Sequence, residues 1–207
     1  MMNDRFRRTL VIGPSCSGKS TLARQLAGTV DATHIELDLL FWNPGWQQTP
    51  VDDFRGAVES AVARDRWVID GNYFGTLDLT IPRATAIVWL DLPLRTVLWQ
   101  VVRRSVVRAW RKTPVCGGNH ETMRHSFLSR ESIILWVLTS HRQRRRKCLW
   151  VLTSHRQRRR KCQELRDEIF DRDKLFVELK NHQESAQFLE ELADKATRER
   201  EKTRWSV

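Results

Sequence analysis

The chain has 207 residues, 41% of them hydrophobic and 29% charged, with a formal net charge of +11. This is enough for one domain with a substantial core, and the balance is that of an ordinary globular protein rather than a disordered or fibrous one. The longest apolar runs, IILWVL and AIVWL, are too short to cross a bilayer, the basic start MMNDRFRRTLVIG lacks a signal peptide's apolar stretch, and four cysteines without a C-x-x-C pair fit a reducing compartment, so a soluble cytoplasmic protein is expected.

Along the chain, Thr9–Ile12 is a short apolar run ending at Gly13 and reads as a buried strand. Thr21–Ala27 has helical spacing of Leu22, Leu26 and small residues, and His34–Leu37 reads as a second strand. FWNPGWQQTP, with two prolines and a glycine, reads as a loop. Val51–Arg64 is a predicted helix with Phe54, Val58, Ala61 and Val62 on one face. Trp67–Ile69, followed by Asp70 and Gly71, is a third strand, and Ala86–Leu90, followed by Asp91, a fourth. Leu94–Trp110 reads as a helix, and VCGGNH over Val115–His120 breaks its pattern. Glu131–Phe170 reads as helical and Leu175–Leu179 as a fifth strand. Gln183–Lys195 is a last helix, with Asn181 as N-cap and Glu184 three residues later, followed by a charged, frayed tail at 197–207.

Strands alternating with helices imply an α/β fold, a parallel sheet covered on both faces. Ligands bind such sheets at the carboxyl ends of the strands, and Asp38, Asp70 and Asp91 all fall at strand ends on that rim.

The chemistry is concentrated in GPSCSGKST: Gly13, Pro14, Ser15, Cys16, Ser17, Gly18, Lys19, Ser20 and Thr21. It matches G-x-x-x-x-G-K-[ST] between a strand and a helix, the context that a phosphate-binding P-loop requires. Glycines let backbone N–H groups turn toward phosphate oxygens, and the helix N-terminus adds a favourable dipole. Lys19 can reach the β- and γ-phosphates of ATP, and the Ser20 hydroxyl can ligate Mg²⁺. Cys16, inside the loop, is expected to be a small filler. Asp70 either holds the Mg²⁺ shell or is a turn aspartate of a D-G pair, and the first is preferred. Asp38 is either a general base for an acceptor hydroxyl or an acceptor-binding residue, or else a solvated aspartate at a loop start. Asp91 is either a Walker-B-type carboxylate or, as the LDLP stretch suggests, a cap of the following helix, and the cap is preferred. Of Arg103, Arg104 and Arg108 at least one should bring positive charge to a transferring phosphoryl group, the others lying on a solvated helix face. Cys116, His120 and His125 lack the spacing of a metal site, and the glycines between them read as the hinge of a flap.

Fourteen residues, Leu135–Cys148, recur unchanged as Leu149–Cys162. Each copy adds five positive charges and no acid, so the rest of the chain carries only +1. Fourteen residues of helix add about 21 Å and rotate the downstream chain by only about 40°, so a helix can absorb the insertion without changing faces. One copy is expected to dock on the core. The alternative use is a basic arm contacting nucleic-acid phosphates, an assignment not favoured because charge runs are usually solvated.

GPSCSGKSTLARQLA, HIELDLLFWNPGW, WVIDGNY and AIVWLDLP, with RESIILWVL and KLFVELKNHQESAQFLEEL, resemble the adenylate-kinase-like P-loop proteins called topology modulation proteins. The resemblance covers nearly the whole chain apart from one repeat copy. It implies a three-layer nucleoside-monophosphate-kinase-like P-loop NTPase fold, with about five parallel strands and a helical lid over 104–130, in a single domain over 1–196. It implies Mg·ATP binding, with Lys19 and Ser20 in the phosphate and metal roles, Asp70 near Mg²⁺ and Arg104 as a lid-base arginine. Gln100 stands where such kinases usually carry another arginine. Asp70-Gly71-Asn72-Tyr73-Phe74 replaces their acceptor signature D-G-F-P-R, which argues against AMP as acceptor. The expectation is therefore an ATP-dependent kinase acting on a nucleotide or small molecule. Lys19, Asp38, Asp70 and Arg104 would be catalytic, and Arg103 and Arg108 would help to bind the nucleotide. A non-catalytic P-loop protein that binds nucleic acid through the repeat is the alternative.

Overall fold

The computed structural model describes residues 2–111, 114–115, 119–120, 155–167 and 174–204. Five parallel strands form the central sheet: β1 (Arg8–Ile12), β2 (Thr33–Glu36), β5 (Trp67–Asp70), β6 (Ala86–Leu90) and β9 (Leu175–Leu179). Their order is β2-β5-β1-β6-β9. Helices lie on both sides, α1 (Met2–Arg5), α2 (Lys19–Val30), α4 (Val51–Val62), α5 (Leu77–Thr80), α6 (Leu94–Arg111), α7 (155–167) and α8 (His182–Arg204). This is the α/β arrangement, a parallel sheet with helices on both faces, expected from the strand–helix alternation.

The three inner strands, β5, β1 and β6, are buried along nearly their whole length because helices cover both faces of the sheet. Side chains alternate, so Leu10, Ile12, Trp67, Ile69, Ile87 and Trp89 enter one core with Phe54, Val58, Cys162 and Leu165. Val11, Val68, Val88 and Leu90 enter the other with Phe6, Leu22, Leu26 and Leu192. Burial of each such large side chain contributes about 1.5–3 kcal/mol. The chain leaves β1 for the far edge strand β2, returns through β5, then crosses to β6 and β9 on the other side of β1. That reversal opens a crevice at the carboxyl ends of β1 and β5.

Several local boundaries differ from the sequence reading. The second strand begins at Thr33, and Leu37 already starts a short helix, α3 (Leu37–Phe41), so Asp38 sits on a helix rather than a loop. The predicted 41–50 loop holds a small hairpin of β3 (Trp42–Asn43) and β4 (Gln47–Gln48) around a 3-10 turn at Pro44–Trp46. Asn181 and Glu184 form the expected capping box: the Glu184 N–H donates to Asn181 Oδ1 at 2.8 Å, and the Lys180 N–H donates to Glu184 Oε2 at 2.7 Å. The helix they start runs on to Arg204, past the predicted end at Lys195. Asp91 does not serve as the expected cap of α6. The N–H groups of Thr96 and Val97 donate to the Pro93 carbonyl, and the Asp91 carboxylate is held elsewhere. The predicted flap contributes the two-residue strands β7 (Pro114–Val115) and β8 (Asn119–His120), paired antiparallel, and β8 lies beside the Pro44–Trp46 turn. Cys116, His125 and the Leu135–Cys148 copy lie outside the described residues. Among the described residues no helix is long and apolar enough to cross a membrane.

Candidate functional site

β1 delivers the backbone to Gly13 at the carboxyl edge of the sheet, and α2 carries it away from Lys19. Gly13 has φ +152, and a Cβ there would lie 2.8 Å from the Leu90 carbonyl oxygen, so the loop can leave the sheet here only as glycine. Cys16 at φ +63 and Gly18 at φ +89 turn the backbone through the left-handed region. Gly18 caps α2 without a side-chain hydrogen bond, and the Ser17 N–H donates to the Pro14 carbonyl at 3.3 Å. No side chain therefore competes for the positive end of this twelve-residue helix, the feature that favours an anion there.

Asn72 fixes the start of the loop. The Gly13 N–H donates to Asn72 Oδ1 at 3.2 Å, and Asn72 Nδ2 donates back to the Gly13 carbonyl. Gly71, at φ +147, lets this turn press against Leu37, whose Cβ would be 2.8 Å from an added Cβ.

Lys19 donates from Nζ to the Pro14 carbonyl at 2.8 Å, folded across its own loop. Burial lowers its ammonium from the ordinary 10.5 to about 8; Arg158 adds to that fall, while Asp70 and Asp38 oppose it. The Ser20 hydroxyl donates to Asp70 Oδ1 at 2.9 Å, and Asp70 is only 4% exposed. The other carboxylate oxygen of Asp70 lies 2.7 Å from His34 Nε2, which fixes the carboxylate's orientation. His34 is also near Glu36, and Glu36 pairs with Arg24 at 2.9 Å. The buried carboxylate beside a serine hydroxyl is an oxygen-only set, which suits a hard divalent cation such as Mg²⁺. Asp38 is exposed on the first turn of α3 and accepts a hydrogen bond from the Tyr73 hydroxyl at 2.7 Å.

The arginines of α6 separate. Arg104 reaches the loop, with one guanidinium nitrogen 3.7 Å from Cys16 Sγ. Arg103 is exposed and lies over the Trp99 ring, 5.3 Å from its centroid, away from the loop. The side chain of Arg108 lies outside the described residues. Gln100, in place of an arginine, meets the His182 ring.

Read as sequence, α7 is part of a solvated basic run. In the fold the described part of the second copy, residues 155–162, docks. His155, Arg158, Arg159 and Cys162 share one helix face and, with Gly13, Pro14, Trp89 and Asp91, line a small gap beside the loop. Arg158 donates to Ser15 Oγ at 2.7 Å. Burial lowers its guanidinium from the ordinary range, against the pull of Asp38. Arg159 holds Asp91 through two nitrogens, at 2.9 and 3.0 Å. His155 Nε2 donates to the Leu92 carbonyl at 3.0 Å in the tautomer protonated there. Burial pushes the Cys162 thiol up to about 12, with Asp91 adding to the rise, so it is packing rather than a nucleophile. The spacing i, i+3, i+4, i+7 was legible in the sequence. A search for apolar periodicity misses it because His and Arg occupy three of the four places. The roles of Asn72, His34 and Tyr73 carried no spacing signal at all.

No family model matches the sequence, and no curated protein matches it. Solved structures similar to it include a gluconokinase from Sinorhizobium meliloti 1021, 16% identical over 98% of this chain and 99% of that one, with a TM-score of 0.44. A sugar kinase from Janibacter sp. HTCC2649 is 15% identical over 92% and 91%, at 0.42. A shikimate kinase from Aquifex aeolicus vf5 is 19% identical over 51% and 78%, at 0.37. Similarities this distant assign no activity to the chain.

Proposed function

We propose that the chain is an ATP-dependent phosphotransferase, a P-loop kinase that moves the γ-phosphoryl group to a hydroxyl of a nucleotide or other small molecule. The observation that carries this reading is the meeting of Lys19, Ser20 and Asp70 at the mouth of a glycine-shaped loop, with Arg104 and Arg158 also reaching the loop. In this reading the loop N–H groups and the α2 N-terminus hold the β-phosphate, and Lys19 exchanges the Pro14 carbonyl for β- and γ-phosphate oxygens. Ser20 and Asp70 hold Mg²⁺, which when bound offsets charge on the phosphates. Arg104 and Arg158 face the charge that develops on the transferring group. A concavity of about 280 Å³ beside Gly18 and Thr21, lined also by His182 and Ser185, adjoins the loop and suits the nucleoside.

Asp38 takes the proton from the acceptor hydroxyl. The acceptor oxygen then bonds to the γ-phosphorus as the bond to the bridging oxygen breaks, and ADP leaves with that electron pair. The aromatic group Phe41, Trp42, Trp46, Phe54 and Tyr73, in edge-on and tilted contact, forms the wall beside Asp38. It favours an acceptor with an apolar or ring face.

The test is phosphoryl transfer from γ-labelled ATP to a panel of nucleotides, nucleosides and hydroxylated metabolites. Labelled product should form with one class and vanish in Lys19→Ala and Asp38→Asn. ATP binding without transfer to any acceptor across the panel would sink the reading.

A further inference from the structure

At the opposite end of the sheet lies a cavity of about 520 Å³ that the loop does not use. Among the described residues its walls carry Arg5, Arg7, Arg8, Arg83 and Lys174, against one carboxylate, that of Asp4. That carboxylate is already shared with Arg66, 3.5 Å away. Arg8 opens β1, Thr85 precedes β6 and Lys174 precedes β9, so the cavity sits where three parallel strands begin. The five residues of β1 span about 16 Å, so the two sites are separate.

The cavity is built rather than incidental. Lys174 is fixed at its wall, donating from Nζ to the Ala84 carbonyl at 2.7 Å and the Pro82 carbonyl at 3.3 Å. The Arg8 N–H donates to Thr85 Oγ1 at 3.2 Å, and Thr85 Oγ1 donates to the Arg8 carbonyl at 3.1 Å, closing the floor. Among the described residues the buried Nε atoms of Arg7 and Arg8 meet no hydrogen-bond partner, a cost that an anion on the same guanidinium groups would offset. Clustered like charges in a concave wall focus a positive potential into it, and planar guanidinium groups match phosphate oxygens in pairs. A duplex would need a stripe of charge along an open face, whereas this charge converges on one hollow.

We propose that this cavity is a second anion site, one that takes a compact phosphorylated ligand such as pyrophosphate or a phosphorylated metabolite. The full chain carrying Lys19→Ala, with the loop site disabled, is titrated calorimetrically with inorganic pyrophosphate at low salt without magnesium. Binding at one site is expected. Adding Arg5→Gln and Arg83→Gln, both exposed side chains, should weaken it tenfold or more while circular dichroism and the melting temperature stay unchanged. Adding Arg156→Gln and Arg160→Gln instead, an equal loss of charge on exposed α7 positions, should leave it within twofold. No pyrophosphate binding to the Lys19→Ala chain overturns the proposal. So does equal weakening by the two pairs, or binding of a duplex oligonucleotide without binding of pyrophosphate. Failure of the phosphotransferase reading leaves this titration unaffected.

Discussion

The two ends of the sheet are both basic, and they are basic in different ways. At the carboxyl end each described cation has an assigned place: Lys19 on the Pro14 carbonyl between Asp70 and Asp38, Arg159 on Asp91, Arg158 on Ser15. At the amino end, among the described residues, five cations share a hollow with one carboxylate. The first end is shaped by backbone, through Gly13, Gly18, Gly71 and the start of α2, and the charges refine it. The second is lined by charged side chains that backbone carbonyls and one threonine hydroxyl hold in place. The proposed phosphoryl transfer, which needs an acceptor placed within tenths of an ångström, calls for the first kind, whereas the proposed anion site needs only the second.

The largest effect that sharpens this contrast is Lys19→Ala. It should weaken Mg·ATP binding about a hundredfold and abolish transfer, as read by calorimetry and labelled product. The Arg5→Gln, Arg83→Gln chain should bind Mg·ATP within twofold of the unaltered protein. Next comes the backbone. Gly13→Ala meets Leu90 at 2.8 Å with φ +152 and should cost about 2 kcal/mol or more in urea unfolding. Gly28→Ala, in α2 with open space around it, should instead stabilise by about 0.5–1 kcal/mol.

The pH dependence of ADP binding comes third. Because burial sets the free Lys19 ammonium at about 8, phosphate binding is coupled to keeping its proton. Affinity is therefore full below that value and falls above it, by up to about tenfold per pH unit until the complex itself titrates. Lys19→Arg should flatten the profile above pH 8. Flat binding from pH 7 to 9.5 in the unaltered protein would remove the buried-ammonium account. Arg158→Gln is fourth, with about tenfold weaker ATP binding, against no change for the exposed Arg160→Gln on the same helix.

The smallest effect belongs to the repeat. Deleting Leu135–Cys148 or Leu149–Cys162 yields one and the same polypeptide, because the copies are identical. The remaining copy keeps its junction to Gln163, so the docked face is retained and ATP affinity should stay within twofold. A loss of more than tenfold in the shortened chain would show that the first copy takes part in the site.

The loop and the sheet were legible in the sequence for physical reasons. G-x-x-x-x-G-K-S states a backbone conformation directly, since only glycine fits at Gly13, and doubly buried strands announce themselves as apolar runs. The strand-end carboxylate Asp70 was legible too, because its place follows from the strand. Asp38 is legible as a carboxylate on the rim but not as a helical residue, since α3 is a five-residue helix too short to show a period. The cap expected of Asp91 fails because a local rule competes with a tertiary partner. Arg159, 68 residues away, offers a charge-assisted hydrogen bond that a helix N–H does not match.

Sequence alone thus determined the α/β class, the phosphate loop and the strand-end carboxylate beside it, all of which depend on short-range rules of backbone geometry and periodicity. Tertiary structure alone decided that the second copy of a basic repeat brings Arg158 to Ser15 and Arg159 to Asp91, that Asn72 clamps Gly13, and that five cations from separate segments meet below the sheet. Those contacts join residues distant in the chain, and no local pattern encodes which of many arginines the folded sheet will bring to a given place.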